Sequence, residues 1–449
     1  MHSLKKSFGG AMGTTHLNAA ARQPVRAAIA AFVGTTIEWY DFYIYATAAA
    51  LVFGKIFFPA ADPFVSTMAS FGTFAVGFLA RPLGGVVFGH LGDRVGRKKA
   101  LMVTLVIMGV ATVCIGLLPT YHSVGLWAPA LLVALRLAQG LAVGGEWGGA
   151  VLMAGEHASQ KRRTFAASFA QLGSPAGLIL SLLAFRLLTN LDEADFLSWG
   201  WRIPFLVSAV LLLVGYFIRI GVSESPDFAK ALERQETAEV PAREVLRTAW
   251  KTVVICMGVC TVAIGGIYFT NTFMLAYTTQ TMGLSRVMIL DCLFVVAIIQ
   301  FFVQPIAAWF ADAMGTAKVL IFAAFCSVLA PYPMFMLVSQ GTTISIISGI
   351  TIVLVFMAMI YSAMAGYISS AFQTHVRYSG ISLSYQLCGA IAGGLTPLIG
   401  TWISHRYPGQ WMPLAVFYST LSAITLISVI ALASHKKRMA RTEGAALAV

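Results

Sequence analysis

Gly89-His90-Leu91-Gly92-Asp93-Arg94-Val95-Gly96-Arg97-Lys98-Lys99 stands between two long apolar segments. Four cations, one carboxylate and three glycines crowd into this short break. A soluble core has no use for such a run. Between two membrane spans it does: glycines permit a tight reversal, and cations hold the turn on the cytoplasmic side. Asp93 gives those cations a partner. The stretch therefore sets an orientation as well as a fold class.

The rest of the chain agrees. Of its 449 residues 58% are hydrophobic and only 11% charged, with a mean hydropathy of +0.80. Soluble domains carry about 25% charged residues. A crossing helix needs about 20 apolar residues. Twelve segments qualify: 27–53, 66–91, 100–118, 126–155, 165–188, 201–221, 251–279, 287–311, 318–338, 343–372, 379–404 and 411–434. The expected architecture is an all-α polytopic membrane protein with twelve transmembrane helices in two six-helix bundles. An N-terminal tail (1–26) precedes the first bundle (27–221). A polar cytoplasmic connection (222–250) leads to the second bundle (251–434) and a C-terminal tail (435–449). Residues 1–26 hold no apolar stretch for a cleavable signal, and neither end carries a lipidation motif.

The net charge of +12 would suggest nucleic acid in a soluble protein. Its placement argues for topology instead. Lys and Arg gather in the N-terminal tail, 94–99, 161–163, 219–251, Lys318, Arg377 and 436–441, whereas only Lys55, Arg202, Arg286 and Arg406 fall on the other side. Both termini are expected in the cytoplasm, with a lipid bilayer and no nucleic acid as partner. The six cysteines lie in apolar spans without a CxxC pair and read as small packing residues.

A weak repeat relates the two halves. Asp93, Gly96 and Lys99 recur at the same spacing as Asp312, Gly315 and Lys318, without the arginines. That is the position a duplicated six-span bundle requires.

Ionisable residues inside a span cost at least about 2.5–3.5 kcal/mol at its centre. They are Glu38, Asp41, Arg81, Arg136, Glu146, Arg186 and Asp291. Arg186 and Asp291 lie near one face and are expected to snorkel. Asp41 and Arg136 are expected at depths differing by only about 6 Å, close enough to pair. A buried cation beside a carboxylate that gains and loses a proton is the core of a proton-coupled site; the bland alternative is a static ion pair. Glu38 shares the Asp41 face and is either an alternative proton acceptor or a partner that orients Trp39 and Tyr40. Glu146 sits among glycines as a structural hydrogen-bond acceptor.

Uncharged polar residues punctuate other spans: Gln171 with Ser174, Tyr268, Asn271, Gln300, Gln304, Tyr361, Tyr385 and Gln386. Singly, each reads more readily as helix–helix glue; together they form a candidate surface for the hydroxyls or carboxylate of a metabolite. Gly389, Gly393, Gly394 and Pro397 are expected to let the eleventh span bend around it.

At these residues the chain resembles the major facilitator superfamily, and within it the metabolite:proton symporter family. The resemblance rests on Ile37-Glu38-Trp39-Tyr40-Asp41-Phe42, Arg81-Pro82-Leu83-Gly84-Gly85 running into the charged turn, and Arg136-Leu137-Ala138-Gln139-Gly140. Gly144-Gly145-Glu146-Trp147-Gly148-Gly149, Trp199-Gly200-Trp201-Arg202-Ile203-Pro204-Phe205 and Glu224-Ser225-Pro226 extend it over nearly the whole chain. It implies inner-membrane localisation and solute:proton symport by alternating access. It also implies a cytoplasmic gate at Gly89, Asp93, Arg94, Gly96 and Arg97 with Glu156, echoed at Asp312.

The leading expectation is a monomeric importer of a small organic acid, a shikimate-like hydroxylated monocarboxylate. Arg136 or Arg81 meets the carboxylate, protons are the coupling ion, and no cofactor or metal is needed. Symport of a dicarboxylate or tricarboxylate (2-oxoglutarate, citrate) or of a zwitterionic osmolyte (proline, betaine) stays open. A drug/proton antiporter wants an unpaired central acid, and a receptor wants a folded signalling domain. An enzyme wants a nucleophile–base or metal-ligand cluster, and none is visible.

Overall fold

The computed structural model describes residues 32–60, 62–95, 97–144, 168, 171–188, 190–220, 241–373 and 377–446. For 89–90, 92–95, 97–98, 101, 219, 241–244, 378 and 437–446 only the backbone is described. These residues are almost wholly helical. Each expected span has a helical counterpart, numbered here in chain order. Span 1 covers 32–56; span 2 is Pro63–Val95, span 3 Arg97–Leu117, span 4 Trp127–Val143, span 5 Gly173–Leu187 and span 6 Arg202–Ile220. Span 7 is Trp250–Thr281, span 8 Arg286–Met314, span 9 Thr316–Leu329 with Pro331–Val338, span 10 Thr343–Ser369, span 11 Arg377–Arg406 and span 12 Met412–Ala446. Seven of these helices are long and apolar enough to cross a bilayer by themselves among the described residues. Their outward faces carry large apolar side chains such as Leu79, Leu83, Phe217 and Phe302, which lipid accommodates and water does not.

One expectation about boundaries needs correction. Gly89 and Gly92 do not make a reversal: span 2 continues helically to Val95, and span 3 is described from Arg97. A helix in lipid satisfies its own backbone groups, which favours extending it to the membrane edge. Span 9 is a pair of helices bent by 43° ahead of Pro331, which has no N–H to donate to the preceding turn. The repeated turn in the second half does reverse on its glycine, with Gly315 at φ 97°.

Spans 2 and 4 cross with their backbones in contact. A Cβ built on Gly84 would lie 1.9 Å from the Leu141 carbonyl oxygen; on Gly140, 2.1 Å from that of Gly77; on Gly144, 2.0 Å from that of Arg81. Small residues are what permit such an approach. Gly144 thus makes the close helix approach expected of it, while Gly145, Glu146, Gly148 and Gly149 lie outside the described residues. Gly84→Val is expected to abolish monodisperse protein in detergent, because backbone on the facing helix cannot yield as a side chain can. Gly72→Ala, on the same helix with nothing within 4 Å, is the control and should behave as wild type.

The Trp201-Arg202-Ile203-Pro204 stretch explains itself in the packing. Trp201 is fully buried against Phe53, Phe57 and Phe205. Arg202 donates to the carbonyls of Gly116 at 2.8 Å and Leu118 at 2.6 Å, capping the end of span 3. Pro204 offers its carbonyl to the Tyr40 hydroxyl at 2.8 Å. Lys436 of span 12 caps span 10 in the same manner through the Tyr367 carbonyl at 2.7 Å. The four cysteines of spans 7, 8 and 11 are buried, and none of the six is paired.

Candidate substrate site

The glycine crossing of spans 2 and 4 sets two arginines side by side. The Arg81 guanidinium lies 4.1 Å from the Phe42 ring centroid and 4.0 Å from that of Phe78. The Arg136 guanidinium lies 4.7 Å from the Phe42 ring centroid, and 4.0 and 5.2 Å from those of Tyr45 and Phe74. Phe42 is thus shared by two cations. Gly77 makes the room, since a Cβ there would fall 2.4 Å from Arg136 Nε. Aromatic faces stabilise a cation by about 0.5–2 kcal/mol each without consuming its N–H groups. Arg136 is fully buried and keeps Nε and Nη2 without a hydrogen-bond partner; Arg81 keeps Nε.

Asp41 and Arg136 do not form the expected ion pair. Asp41 accepts from Ser208 Oγ at 2.6 Å and Thr112 Oγ1 at 3.0 Å. Thr112 accepts in turn from Gln139 Nε2 at 2.8 Å, and Gln139 Oε1 accepts from Arg136 Nη1 at 3.1 Å. Hydroxyls from spans 3 and 6 take the carboxylate instead. Sequence reading missed Thr112 and Ser208, single hydroxyls in apolar spans with no pattern to mark them. Gln139 had a signal: it is three residues from Arg136, on the same helical face.

Glu38 also departs from expectation. It lines a small central cavity with Trp39, Phe42, Arg81, Val143, Tyr385 and Gln386, whereas Asp41 turns behind toward spans 3 and 6. Tyr385 lies within electrostatic range of Tyr361, Tyr268 and Arg81. Tyr268 packs on Phe74 and Phe78, at 5.2 and 5.0 Å between centroids, with the Arg81 guanidinium beside its hydroxyl. Asn271 occupies a π-helical turn, Phe269–Phe273, with its amide atoms buried and unpartnered. Gln386 donates to the Gly144 carbonyl at 3.0 Å, joining the two halves. Span 11 opens into a π-helical turn at Gly389–Gly393, as its glycines suggested, and lies against Phe78. Gln171, Gln300 and Gln304 are buried.

The end of the bundle away from Gly315 is shut. Arg186 and Asp291 do not snorkel apart as expected; they meet at 2.6 Å across the two halves. An opposite charge within reach is a better partner than the headgroup region. Gln280 bridges the halves as well, accepting from Thr67 at 2.9 Å and donating to the Ala50 carbonyl at 2.7 Å. Phe64 stacks on His405 at 3.8 Å, and Arg286 lies 4.1 Å from the Phe196 ring. At the other end the expected gate is largely beyond view: Gly96 and Glu156 lie outside the described residues, as do the side chains at Gly89, Asp93, Arg94 and Arg97. Asp312 lies in the last turn of span 8, just before Gly315.

Comparison with known proteins places this geometry. The chain is 40% identical to the shikimate transporter of Escherichia coli (strain K12), covering 87% of this chain and 90% of that protein. It is 37% identical to the inner membrane metabolite transport protein YhjE of the same strain, covering 91% and 94%. The fold matches a crystal structure of a D-xylose-proton symporter with a TM-score of 0.71 at 15% identity, over 91% of this chain and 97% of that one. Residues 31–397 match the model of the Major Facilitator Superfamily, and the chain belongs to that superfamily of membrane transporters.

Proposed function

We propose that the protein is a proton-coupled symporter importing a small organic acid, a hydroxylated monocarboxylate of the shikimate type, by alternating access. The observation that carries this reading is the pair of buried arginines sharing Phe42, with N–H groups unspent at the centre of the bundle. A carboxylate is the planar acceptor that such forks match. Glu38 offsets one of the two cations, so the cavity suits a monoanion better than a dianion. The name of the 40% identical relative points the same way. Asp41 is the proton acceptor, linked to Arg136 through Thr112 and Gln139.

In this reading the two termini and the basic end face the cytoplasm of a bacterial inner membrane. The shut end then faces outward, held by Arg186–Asp291 and Gln280. Asp93, Arg94 and Arg97, with Glu156 and Asp312, latch the inner side in the alternate state. The unit is a monomer of two bundles, 27–221 and 251–434, joined through 222–250, with protons as coupling ion and no cofactor. Uptake of labelled shikimate, 2-oxoglutarate, citrate and betaine, with and without a protonophore, tests it. Protonophore-sensitive accumulation of shikimate is expected; accumulation of betaine alone, or uptake indifferent to the protonophore, refutes it.

A further inference from the structure

The glycines of span 11 set its Gln386 against the arginine site. A Cβ built on Gly394 would lie 3.0 Å from the Phe78 side chain and 3.3 Å from the Ala75 backbone of span 2. The two helices approach this closely because that Cβ is missing. About two turns earlier, Gln386 lines the central cavity together with Arg81, Glu38, Phe42 and Tyr385. Its side chain is buried, at 2% exposure. The amide nitrogen is spent: Nε2 donates to the Gly144 carbonyl at 3.0 Å, across the two halves. That bond fixes the way the amide lies, because a backbone carbonyl only accepts. The amide oxygen is left over. Oε1 is buried and has no hydrogen-bond partner among the described residues.

Joining the halves needs only the donor of this amide, and an acceptor buried beside it without a partner destabilises the bundle. We propose that Gln386 is a specificity-determining residue: its Oε1 accepts a hydrogen bond from a substrate hydroxyl. The arginine pair, entering the same lining through Arg81, meets the carboxylate. The two groups ask for opposite partners. A guanidinium only donates, and the oriented amide offers only an acceptor. A hydroxylated monocarboxylate satisfies both. The second carboxylate of a dianion brings another acceptor to Oε1 and is repelled, and a quaternary ammonium has no hydrogen to give. Glu38 also accepts, but its charge is matched to the arginines, whereas Gln386 is neutral and reads the donor alone. The inference rests on the organic-acid reading above and adds to it a requirement for a donor away from the carboxylate.

The test compares shikimate with cyclohex-1-ene-1-carboxylate, which keeps the ring and carboxylate and lacks the hydroxyls. Proline, whose N–H groups are the other possible donors, is the third ligand. Binding of each is measured on the purified full-length protein in lipid nanodiscs, for wild type, Gln386→Met and Gln386→Leu. Wild type is expected to prefer shikimate over the analogue by at least about tenfold, since a site built to bond a hydroxyl rejects a ligand lacking it. Each variant should lose at least about tenfold for shikimate and change by less than about threefold for the analogue, so that the preference disappears. Variants that weaken both ring acids alike keep the preference; they overturn the proposal and leave the carboxylate reading standing. Wild type that binds the two ring acids equally does the same. Wild type that binds proline and neither ring acid overturns both readings. Failure of both variants to give monodisperse protein also overturns the proposal, because it makes Gln386 glue between the halves.

Discussion

An Asp41→Asn carrier equilibrates its substrate across the membrane without concentrating it. Asparagine keeps the shape of the side chain and an oxygen for Ser208 or Thr112, so the contact of spans 1, 3 and 6 persists. What it removes is the ability to take up a proton. The proposed coupling turns on the Thr112 hydroxyl, which has one proton and two acceptors in reach, Asp41 Oδ2 at 3.0 Å and the Met108 carbonyl at 2.9 Å. Ionised Asp41 claims that proton. Protonated Asp41 donates to Thr112 instead, the hydroxyl turns to Met108, and Gln139 feels the change on its way to Arg136. Asparagine freezes this exchange. In proteoliposomes, pH-driven accumulation should fall to about unity, while counterflow of labelled against unlabelled substrate stays within about threefold of wild type. Accumulation at the wild-type level in the Asn variant would remove Asp41 from the mechanism.

The bundle was legible because its determinants are long-range averages. Twenty-residue apolar runs and the bias of Lys and Arg survive boundary errors of several residues. Turns were less legible, since lipid rewards continuing a helix: Gly89 and Gly92 looked like breakers and are carried within span 2. At the site, the burial of the polar residues was readable and their pairings were not. Depth along a helix is readable at 1.5 Å per residue, but the direction a side chain takes depends on crossings that sequence does not state. Asp41 and Glu38 are one turn apart, yet one faces spans 3 and 6 and the other the cavity. Arg186 and Asp291, dismissed as snorkelling, close the bundle because their helices come from different halves.

Arg136→Met is expected to leave the fold intact and abolish binding. Burying a guanidinium without a carboxylate beside it is a net expense for the bundle, offset only in part by Tyr45, Phe42, Phe74 and the Gln139 oxygen. Methionine fills the same volume, suits the aromatic cage and asks for no partner. The variant should therefore match or exceed wild type in thermal unfolding. Affinity for the organic acid should nonetheless fall by at least about 100-fold, the cost of an unmade charge-assisted bidentate contact being about 3 kcal/mol. Arg136→Lys divides the effect further. It keeps the charge and loses the planar fork that lies against Tyr45, so it should recover only a small part of the binding. A variant whose loss of binding tracks a loss of thermal stability would make Arg136 a structural cation. Wild-type affinity in Arg136→Met would assign the carboxylate to Arg81 alone, whose guanidinium lies between Phe42 and Phe78 at the cavity wall.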